Sequence, residues 1–317
     1  MAKNPVAGDL AGAPAVAGPL AAPRQVEWRA GGLSRLLRKR WLDVVMVTPL
    51  FAYILFFMLV PVGQSIYLSF VHKGTHSLTL ANYDDIVHRS QFKDAVVNTI
   101  GITIIGVSME MVAGIVIALM LARGFYGRGI FRSIVLVPLG VPTLVAGAAM
   151  LYFVGFTGYL NEILLDLHII NTPVYWQESG VRGMFTIAIA DLWKTTPLVV
   201  LILLAGLEAI PGDIYEAASI DGASGWHKFW DHTIPLLMPA ITMALILRAI
   251  DAFRIFDIAL VMAGQTVPVM SWFVYSEYRL ADSTNTASAA AVILLLMIMV
   301  FVVTYFLLVA RRTEDSR

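Results

Sequence analysis

The sequence predicts an all-α polytopic membrane protein with six transmembrane helices. Hydrophobic residues make up 58% of the 317 residues and charged residues only 14%, whereas about 25% of a typical soluble domain is charged. Several apolar segments approach or exceed the roughly 20 residues that a helix needs to cross a bilayer. Lys plus Arg and Asp plus Glu number 22 each, so the net charge gives no sign of a nucleic-acid partner, and membrane lipid is the expected surrounding.

The sequence also excludes several kinds of chemistry. It has no Cys, so disulfides, thiolate metal sites and cysteine nucleophiles are excluded. The six His have no spacing typical of metal ligands, and Ser and Asp form no recognisable nucleophile arrangement. The phosphate-binding pattern G-x-x-x-x-G-K-[ST] does not occur in the chain. We therefore predict no catalytic residues, no metal site and no cofactor in this chain.

The N-terminal segment, residues 1–32, is rich in Ala, Gly and Pro, and we predict a disordered cytoplasmic tail. A basic cluster then precedes the first span, at about residues 42–70, and consists of Arg35, Arg38, Lys39 and Arg40. Basic residues beside a span favour the cytoplasmic side of the membrane, so this cluster predicts a cytoplasmic N-terminus.

Five further spans follow, at about residues 95–121, 133–154, 183–207, 236–262 and 289–310. Basic residues occupy the loop after span two and the end of span six, whereas the loop after span three is acidic. This pattern places successive loops on alternate sides of the membrane, and an even number of spans puts both termini in the cytoplasm. We assign residues 33–312 to one transmembrane domain and residues 313–317 to a cytoplasmic C-terminal tail.

Prolines and ionisable side chains lie inside several spans. Pro138 and Pro142 are expected to kink span three. The ionisable residues, in spans two, four and five, are Glu110, Asp191, Lys194, Arg248, Asp251, Arg254 and Asp257. A charged side chain costs at least a few kcal/mol at the bilayer centre, so such residues usually face a bundle interior or a water-filled path. We expect Glu110 to face the bundle interior in a structural role.

The spacing of these charges allows ion pairs along single helices. Asp191 and Lys194 are three residues apart and can pair on one face of span four. Span five alternates Arg and Asp at three-residue steps from Arg248 to Asp257, which permits a continuous ladder of pairs. Such a ladder would largely neutralise itself, so it fits a structural role as well as a place on a polar path.

A polar stretch at residues 211–239 separates two long apolar segments. Pro211 and Gly212 end the preceding helix, Asp213 can cap the next one, and residues 214–220 can form a short helix with Ala on one side. A short helix with small residues suits insertion into a groove of another protein. The alternative is a loop helix that lies on the membrane surface.

The same stretch continues with a turn and a second predicted helix. Gly222 permits a sharp turn. Aromatic residues and a Thr then recur at helical spacing, and these are Trp226, Phe229, Trp230 and Thr233. The second helix would brace the first.

The run Glu216-Ala217-Ala218, with Gly222 and Pro235 at matching offsets, resembles the EAA loop of ABC-importer permeases. This loop is the segment through which such permeases contact their ATPase subunits. The resemblance therefore implies a cytoplasmic coupling helix between spans four and five, with the coupling residues Glu216, Ala217, Ala218, Asp221, Gly222 and Pro235.

Further motifs extend the resemblance from about residue 41 to residue 312. They are Asn98-Thr99, Phe131-Arg132, VPLGVP at 137–142, GYLN at 158–161, Trp193 with Pro197, LAGLEAIP at 204–211 and Phe256-Asp257. Over this length the chain is similar to MalF-type sugar permease subunits of type I ABC importers. The resemblance implies a bacterial or archaeal cytoplasmic membrane, a second, MalG-like permease subunit, two ATPase subunits that bind ATP and Mg, and an extracytoplasmic solute-binding protein.

Two segments depart from the family pattern. His232 and Ile234 stand where the EAA loop usually has Ile and Leu, and AGQTVP at 263–268 stands where the family often has T-G-G-G-P. The first departure concerns how the end of the loop docks, and the second concerns how an external loop meets the binding protein.

The resemblance also implies a set of residues on the substrate path. Sugar contacts of the maltose permease, carried over position by position, fall on Asp191, Trp193, Lys194, Thr195, Leu198, Arg248 and Ala252. Trp193 suits stacking on a sugar, and the polar residues suit hydrogen bonds to hydroxyl groups. Lys194 and Arg248 could instead pair with Asp191 and Asp251, or bind an anionic solute such as a sugar phosphate.

The leading hypothesis is a non-catalytic subunit of an ATP-driven importer of a sugar. LWKTTP at 192–197 and DAFRIFD at 251–257 are most similar to permeases for trehalose and related disaccharides, while polyols, other oligosaccharides and glycerol 3-phosphate stay open. A second hypothesis is a self-sufficient ion-coupled secondary transporter that uses Asp191, Asp251 or Glu110 as an ion relay. A third is an intramembrane enzyme, which the missing nucleophile and metal patterns disfavour.

Overall fold

The computed structural model describes residues 41–72, 74 and 77–314. The predicted tail at 1–32, the basic cluster at 35–40 and residues 315–317 lie outside the described residues. Residues up to Met58 form a unit of their own, which in the described part consists of α1, Trp41–Ile54, and the start of a π-helical turn at Leu55–Leu59.

The second unit begins at Leu59 and is helical apart from its connections and one bridge between Val71 and Leu78. Its long helices are α4 Ser90–Ala122, α8 Val181–Glu208, α11 Ile234–Phe253 and α14 Thr284–Glu314. The shorter helices are α2 Val60–Ser69, α3 Ala81–Val87, α5 Arg128–Leu136, α6 Thr143–Val154, α7 Tyr159–Asp166, α9 Gly212–Ile220, α10 Gly225–His227, α12 Asp257–Met262 and α13 Met270–Arg279.

Six helical segments in the described part are long and apolar enough to cross a membrane. They are Val45–Ser69, Ser90–Ala122, Thr143–Asp166, Val181–Glu208, Gly225–Phe253 and Thr284–Leu308. The predicted number of spans and the all-α class are therefore confirmed. All three predicted external loops contain short helices, α3, α7 and α13, which the sequence patterns did not reveal.

The prediction that span three is one kinked helix is wrong. Helix α5 ends at Leu136, a 3₁₀ turn covers Val137–Gly140, and α6 begins only at Thr143. Pro138 and Pro142 explain this break, because proline lacks a backbone N–H and disfavours helical geometry in the residue before it. The membrane-crossing segment accordingly shifts to Thr143–Asp166.

Span five also ends earlier than predicted. Helix α11 stops at Phe253 with Arg254 as its C-cap, and α12 starts at Asp257. The predicted charge ladder up to Asp257 is therefore wrong, because its last member lies on another helix. The ladder keeps only Arg248–Asp251, at 2.5 Å, and a long Arg254–Asp251 pair at 3.8 Å.

Helices α4, α8 and α11 pack together and form the centre of the second unit. Small residues allow α4 to approach α8 closely. A Cβ atom added at Gly114 would lie 2.5 Å from Cγ1 of Val199, and one at Gly106 would lie 3.8 Å from Cβ of Ala188. This close packing fixes the side chains that α4 and α8 direct toward each other.

Polar side chains fasten the segment before α13 to α4 and order the connection between α7 and α8. Asn98 donates to the carbonyl of Pro268 at 2.9 Å, and the Met270 backbone N–H donates to Oγ1 of Thr99 at 2.8 Å. Asn161 donates to the Val174 carbonyl at 2.9 Å and accepts from the Val174 N–H at 3.1 Å. Because buried backbone groups need partners, these bonds stabilise the connections that precede α8 and α13.

We expect Gly114→Leu to lower the free energy of unfolding by about 1–3 kcal/mol, because a larger side chain would overpack the α4–α8 contact. Gly63→Leu is the matched control on another apolar helix, since no heavy atom lies within 4 Å of a Cβ at Gly63. Denaturant titration of the purified protein in detergent measures both. Equal stability of the two variants would contradict the close α4–α8 packing.

Candidate functional site

A buried ion cluster joins α4, α8 and α11. The guanidinium of Arg248 donates from Nε to Glu110 at 2.7 Å and from Nη2 to the same carboxylate at 2.9 Å. Nη2 also lies 2.9 Å from Oδ2 of Asp191, and Nη1 lies 2.5 Å from Oδ2 of Asp251. Arg248 is 1% exposed and Glu110 is fully buried. One cation thus binds carboxylates from three helices.

The cluster forms because a charge cannot lie unpaired in a low-dielectric interior. The fork of donors on an arginine suits two-point binding of a carboxylate, and Glu110 provides it. The hydroxyl of Thr195 lies 2.9 Å from Oε1 of Glu110 and 2.6 Å from the carbonyl of Asp191. Glu110 therefore faces the bundle interior, as the sequence predicts.

The predicted Asp191–Lys194 pair is wrong. Nζ of Lys194 donates to the carbonyls of Pro138 and Leu139, at 3.2 and 2.8 Å, while Asp191 pairs with Arg248. The break between α5 and α6 supplies the reason: it leaves carbonyl groups without the donors of a continuous helix, and such groups need a partner inside a membrane. Lys194 is thereby the link between α8 and the broken segment.

A polar cavity of about 290 Å³ opens beside the ion cluster. Five of the seven predicted path residues line it, namely Asp191, Lys194, Thr195, Leu198 and Arg248. Three further charged residues that were not in the predicted set also line it, namely Asp251, Arg254 and Asp257. The sequence did indicate these residues, since each is a charge inside a predicted span. It gave no sign of the helix break at residues 254–256, which brings Asp257 to the cavity.

The other two predicted path residues do not line this cavity. Trp193 is 39% exposed and lines a separate, mostly apolar groove of about 280 Å³ together with Pro138 and Pro197. Ala252 is buried in the apolar cluster of α4, α8 and α11. The period of a helix explains the position of Trp193, because residues 191, 194, 195 and 198 share one face of α8 and residue 193 does not.

The short helix α9 presents its first two EAA residues to the outside. Glu216 and Ala217 are exposed, whereas Ala218 is buried. The helix ends in a left-handed turn at Gly222, where φ is +77°. The Ala223 N–H donates to the Ala218 carbonyl at 2.9 Å and the Gly222 N–H donates to the Ser219 carbonyl at 3.2 Å, which is the pairing of a Schellman cap.

A second segment braces α9. It consists of α10 and a π-helical turn at Lys228–Thr233, which leads into α11. Nζ of Lys228 lies 2.6 Å from Oγ of Ser219, and the hydroxyl groups of Tyr215 and Thr233 lie 3.2 Å apart. The predicted helix after Gly222 thus exists, but its middle turn is wider than an α-helix.

The aromatic side chains of this brace form one cluster. Ring centroids of Trp226, Phe229 and Trp230 lie 5.0 to 6.4 Å apart, and both Trp residues are exposed. Pro235 is exposed at the start of α11. The predicted coupling residues thus lie on one continuous, rigid elbow between α8 and α11.

Six apolar helical segments in the described part, a cavity lined by residues of the second unit and a braced short helix are the features of a multi-pass membrane subunit of a transport system. Residues 110–314 match the family described as binding-protein-dependent transport system inner membrane component. The chain belongs to this family.

Characterised relatives support the same class. The chain is 37% identical over 256 residues to the trehalose/maltose transport system permease protein MalF of Thermococcus litoralis, a match that covers 77% of this chain and 86% of the relative. It is 35% identical over 239 residues to the trehalose transport system permease protein SugA of Mycobacterium tuberculosis, covering 73% and 75% of the two chains.

A solved structure shares the fold. It belongs to a bacterial ABC transporter involved in the import of the acidic polysaccharide alginate, with a TM-score of 0.79 and 20% identity over 88% of this chain and 98% of that chain. The leading hypothesis, an ABC importer permease subunit, is therefore confirmed over the ion-coupled secondary transporter.

We expect Arg248→Met to lower the free energy of unfolding by about 3–5 kcal/mol, because it leaves buried carboxylates without their cation. The double variant Glu110→Met/Arg248→Met should recover part of this loss. Arg182→Met is the matched control, since the pair of Arg182 with Glu178 is exposed and should contribute about 1 kcal/mol or less.

Denaturant titration in detergent measures all three variants. A loss with Arg248→Met no larger than that with Arg182→Met would contradict a stabilising role of the ion cluster.

Proposed function

We propose that this chain is one of two permease subunits of an ABC importer for a sugar, namely a disaccharide such as trehalose or a related oligosaccharide. The polar cavity beside Arg248 is the observation that carries this proposal. Relatives whose names state trehalose or maltose transport support the substrate class. Carboxylates and a hydroxyl group on the cavity wall are suited to bind sugar hydroxyl groups.

The position of the cavity fits a translocation path. Asp191 lies about 15 Å from the start of α8, whose length is about 42 Å, so the cavity is at mid-membrane depth. We propose Asp191, Lys194, Thr195, Leu198 and Arg248 as wall residues of the path, together with Asp251, Arg254 and Asp257. The place of Trp193 and Ala252 on the path remains a prediction from the resemblance, because neither residue lines the cavity.

We propose that the elbow at residues 211–235 docks on an ATPase subunit. The chain carries no P-loop pattern, so nucleotide hydrolysis belongs to partner chains, which bind ATP and Mg. Exposed Glu216, Ala217 and Asp221 provide a polar and small-residue surface for a groove on that partner. The Schellman cap and the brace make the elbow stiff enough to transmit movement.

An ion pair supports the orientation of the elbow toward the cytoplasm. Arg128, in the basic segment after α4, lies 2.6 Å from Glu208 at the end of α8. The elbow therefore begins on the same side as the basic segment, and basic loops favour the cytoplasm. With six spans, both termini lie there as well. The membrane is the cytoplasmic membrane of a bacterium or archaeon.

The remaining partners follow from the family. A second permease subunit, similar to MalG, would complete the wall of the path, and an extracytoplasmic solute-binding protein would deliver the sugar to the outer side. Helices α7 and α13 and the segment at 263–268 lie at that side of the proposed topology. Closure of the ATPase subunits would move the elbow, and α8 and α11 would carry this movement to the cavity.

We expect Glu216→Lys and Gly222→Glu to reduce co-purification of the ATPase subunits about tenfold, which corresponds to about 1.4 kcal/mol of binding free energy. The first reverses an exposed charge, and the second forces a side chain into a left-handed conformation. Glu178→Lys, at the opposite end of α8, is the control. Undiminished co-purification of the first two variants would contradict the docking role.

We expect proteoliposomes with the whole complex and its binding protein to take up trehalose only when ATP is enclosed, and without an ion gradient. Asp191→Asn should reduce the uptake rate about tenfold, because a charged hydrogen-bond partner on the path is lost. Co-purification of all subunits is the control for assembly. Uptake without ATP would refute the proposed function, and full uptake by an assembled Asp191→Asn complex would remove Asp191 from the path.

A further inference from the structure

The charge of the solute is a question that the family leaves open. Relatives of this chain are named for trehalose or maltose, whereas the solved transporter with the same fold imports an acidic polysaccharide. Lysine and arginine side chains on the cavity wall suggest, at first sight, a site for an anion. Their hydrogen bonds in the structure indicate the opposite.

Arg248 has little capacity left for an anionic solute, because four of the five N–H groups of a guanidinium are engaged by carboxylates of the protein. Its Nε, Nη1 and Nη2 atoms all donate to carboxylates of the protein, at 2.5 to 2.9 Å. The side chain is buried, so a solute in the cavity meets the carboxylates of Asp191 and Asp251 around it. The single positive charge of Arg248 thus faces three carboxylates, those of Glu110, Asp191 and Asp251.

Lys194 is also engaged. Two of the three donors of an ammonium group bind the carbonyls of Pro138 and Leu139, and Lys194 is buried. These bonds satisfy the backbone where α5 and α6 are interrupted. Turning the ammonium toward an anion would leave both carbonyls without this partner inside the membrane, which is unfavourable.

Arg254 is the remaining cation among the described residues that line the cavity. It is exposed, and its Nη2 lies 3.8 Å from Oδ1 of Asp251. Asp257 lines the same cavity, so a solute near Arg254 is also close to two carboxylates. The cavity wall thus carries three cations and three carboxylates, and Glu110 binds Arg248 from behind.

The carboxylates, in contrast, have acceptor capacity to spare. Asp191 uses Oδ2 for Arg248, and the side chain of Asp251 is 57% exposed. Ionised carboxylates accept hydrogen bonds and donate none, so they complement hydroxyl groups and repel anions.

We infer that this cavity takes an uncharged polyhydroxylated solute and excludes anionic sugars. The inference rests on the proposed function and narrows its substrate class. Asp251 and Asp257 are the specificity-determining residues, because each supplies negative charge to the wall. Asp251 binds Arg248, but this pair lies within α11 and Asp251 is half-exposed, so neither carboxylate ties α11 to α4 or α8.

Saturation-transfer NMR on the complete complex in lipid nanodiscs, without the solute-binding protein, tests this inference. The probes are trehalose and trehalose 6-phosphate at equal concentration. We expect the wild-type complex to bind the phosphate about tenfold more weakly than trehalose. Asp251→Asn and, separately, Asp257→Asn should shift the preference severalfold toward the phosphate, because each removes one negative charge from the wall.

Asp85→Asn is the matched control, since Asp85 is also an Asp beside an arginine, at 2.5 Å from Arg89, but lies outside the cavity. It should leave the preference unchanged. Equal or tighter binding of the phosphate to the wild-type complex would refute the charge selectivity and leave the sugar path intact. An unshifted preference in both cavity variants, or an equal shift in Asp85→Asn, would also refute it. Binding of neither probe would instead refute the proposed sugar path itself.

Discussion

The contact of Arg248 with Glu110 and Asp191 is the constraint on which the centre of this protein depends. The guanidinium is almost wholly shielded from solvent, because the side chain is 1% exposed, so the protein itself must supply most of its hydrogen-bond partners. The two carboxylates lie on α4 and α8, whereas Arg248 lies on α11. Three helices must therefore hold one relative position for the charges to be satisfied. The glycines on the α4 face that packs against α8 make this position reachable, since larger side chains would hold the two helices apart.

The cavity exists because two of the apolar segments do not continue as helices. The break at Val137–Gly140 places Leu139 on the cavity wall, and the break after Phe253 brings Asp257 back toward Asp191. Inside a membrane, each interruption leaves backbone groups that need partners. At the first break, Lys194 donates hydrogen bonds to two backbone carbonyls, those of Pro138 and Leu139. Lys194 could be taken for a cation that binds the solute, but its hydrogen bonds stabilise the fold. The same holds for Arg248.

Much of this arrangement follows from the sequence, and the rest does not for identifiable reasons. The six spans follow from the lengths of the apolar runs, and the short helix before Gly222 follows from Pro211 and Gly212 at its start. The predicted cap by Asp213 is wrong, because the helix already begins at Gly212 and has no side-chain cap. The break at residues 254–256 could not be predicted, because DAFRIFD contains neither Pro nor Gly. Spacing shows which charges on one helix can meet, but not that Arg248 binds residues 57 and 138 positions away. Trp193 was placed with Asp191 by the resemblance alone, although the helical period already separates the two faces.

The elbow and the ion cluster together limit how the proposed path can open. Only three residues separate Glu208, at the end of α8, from the start of α9, and the braced turn at Lys228–Thr233 leads directly into α11. A push on α9 therefore acts on α8 and α11 at once. If these helices slid past each other or past α4, the bonds of Arg248 to Asp191 and Glu110 would break inside a low-dielectric interior, at a cost of several kcal/mol. Rotation of α4, α8 and α11 as one body preserves those bonds. The movable wall then lies where α5, α6 and α12 meet the cavity, because no ion pair among the described residues ties these segments to Arg248. Lys194 binds that side through two hydrogen bonds to backbone carbonyls, and Asp251 and Arg254 are already exposed to it.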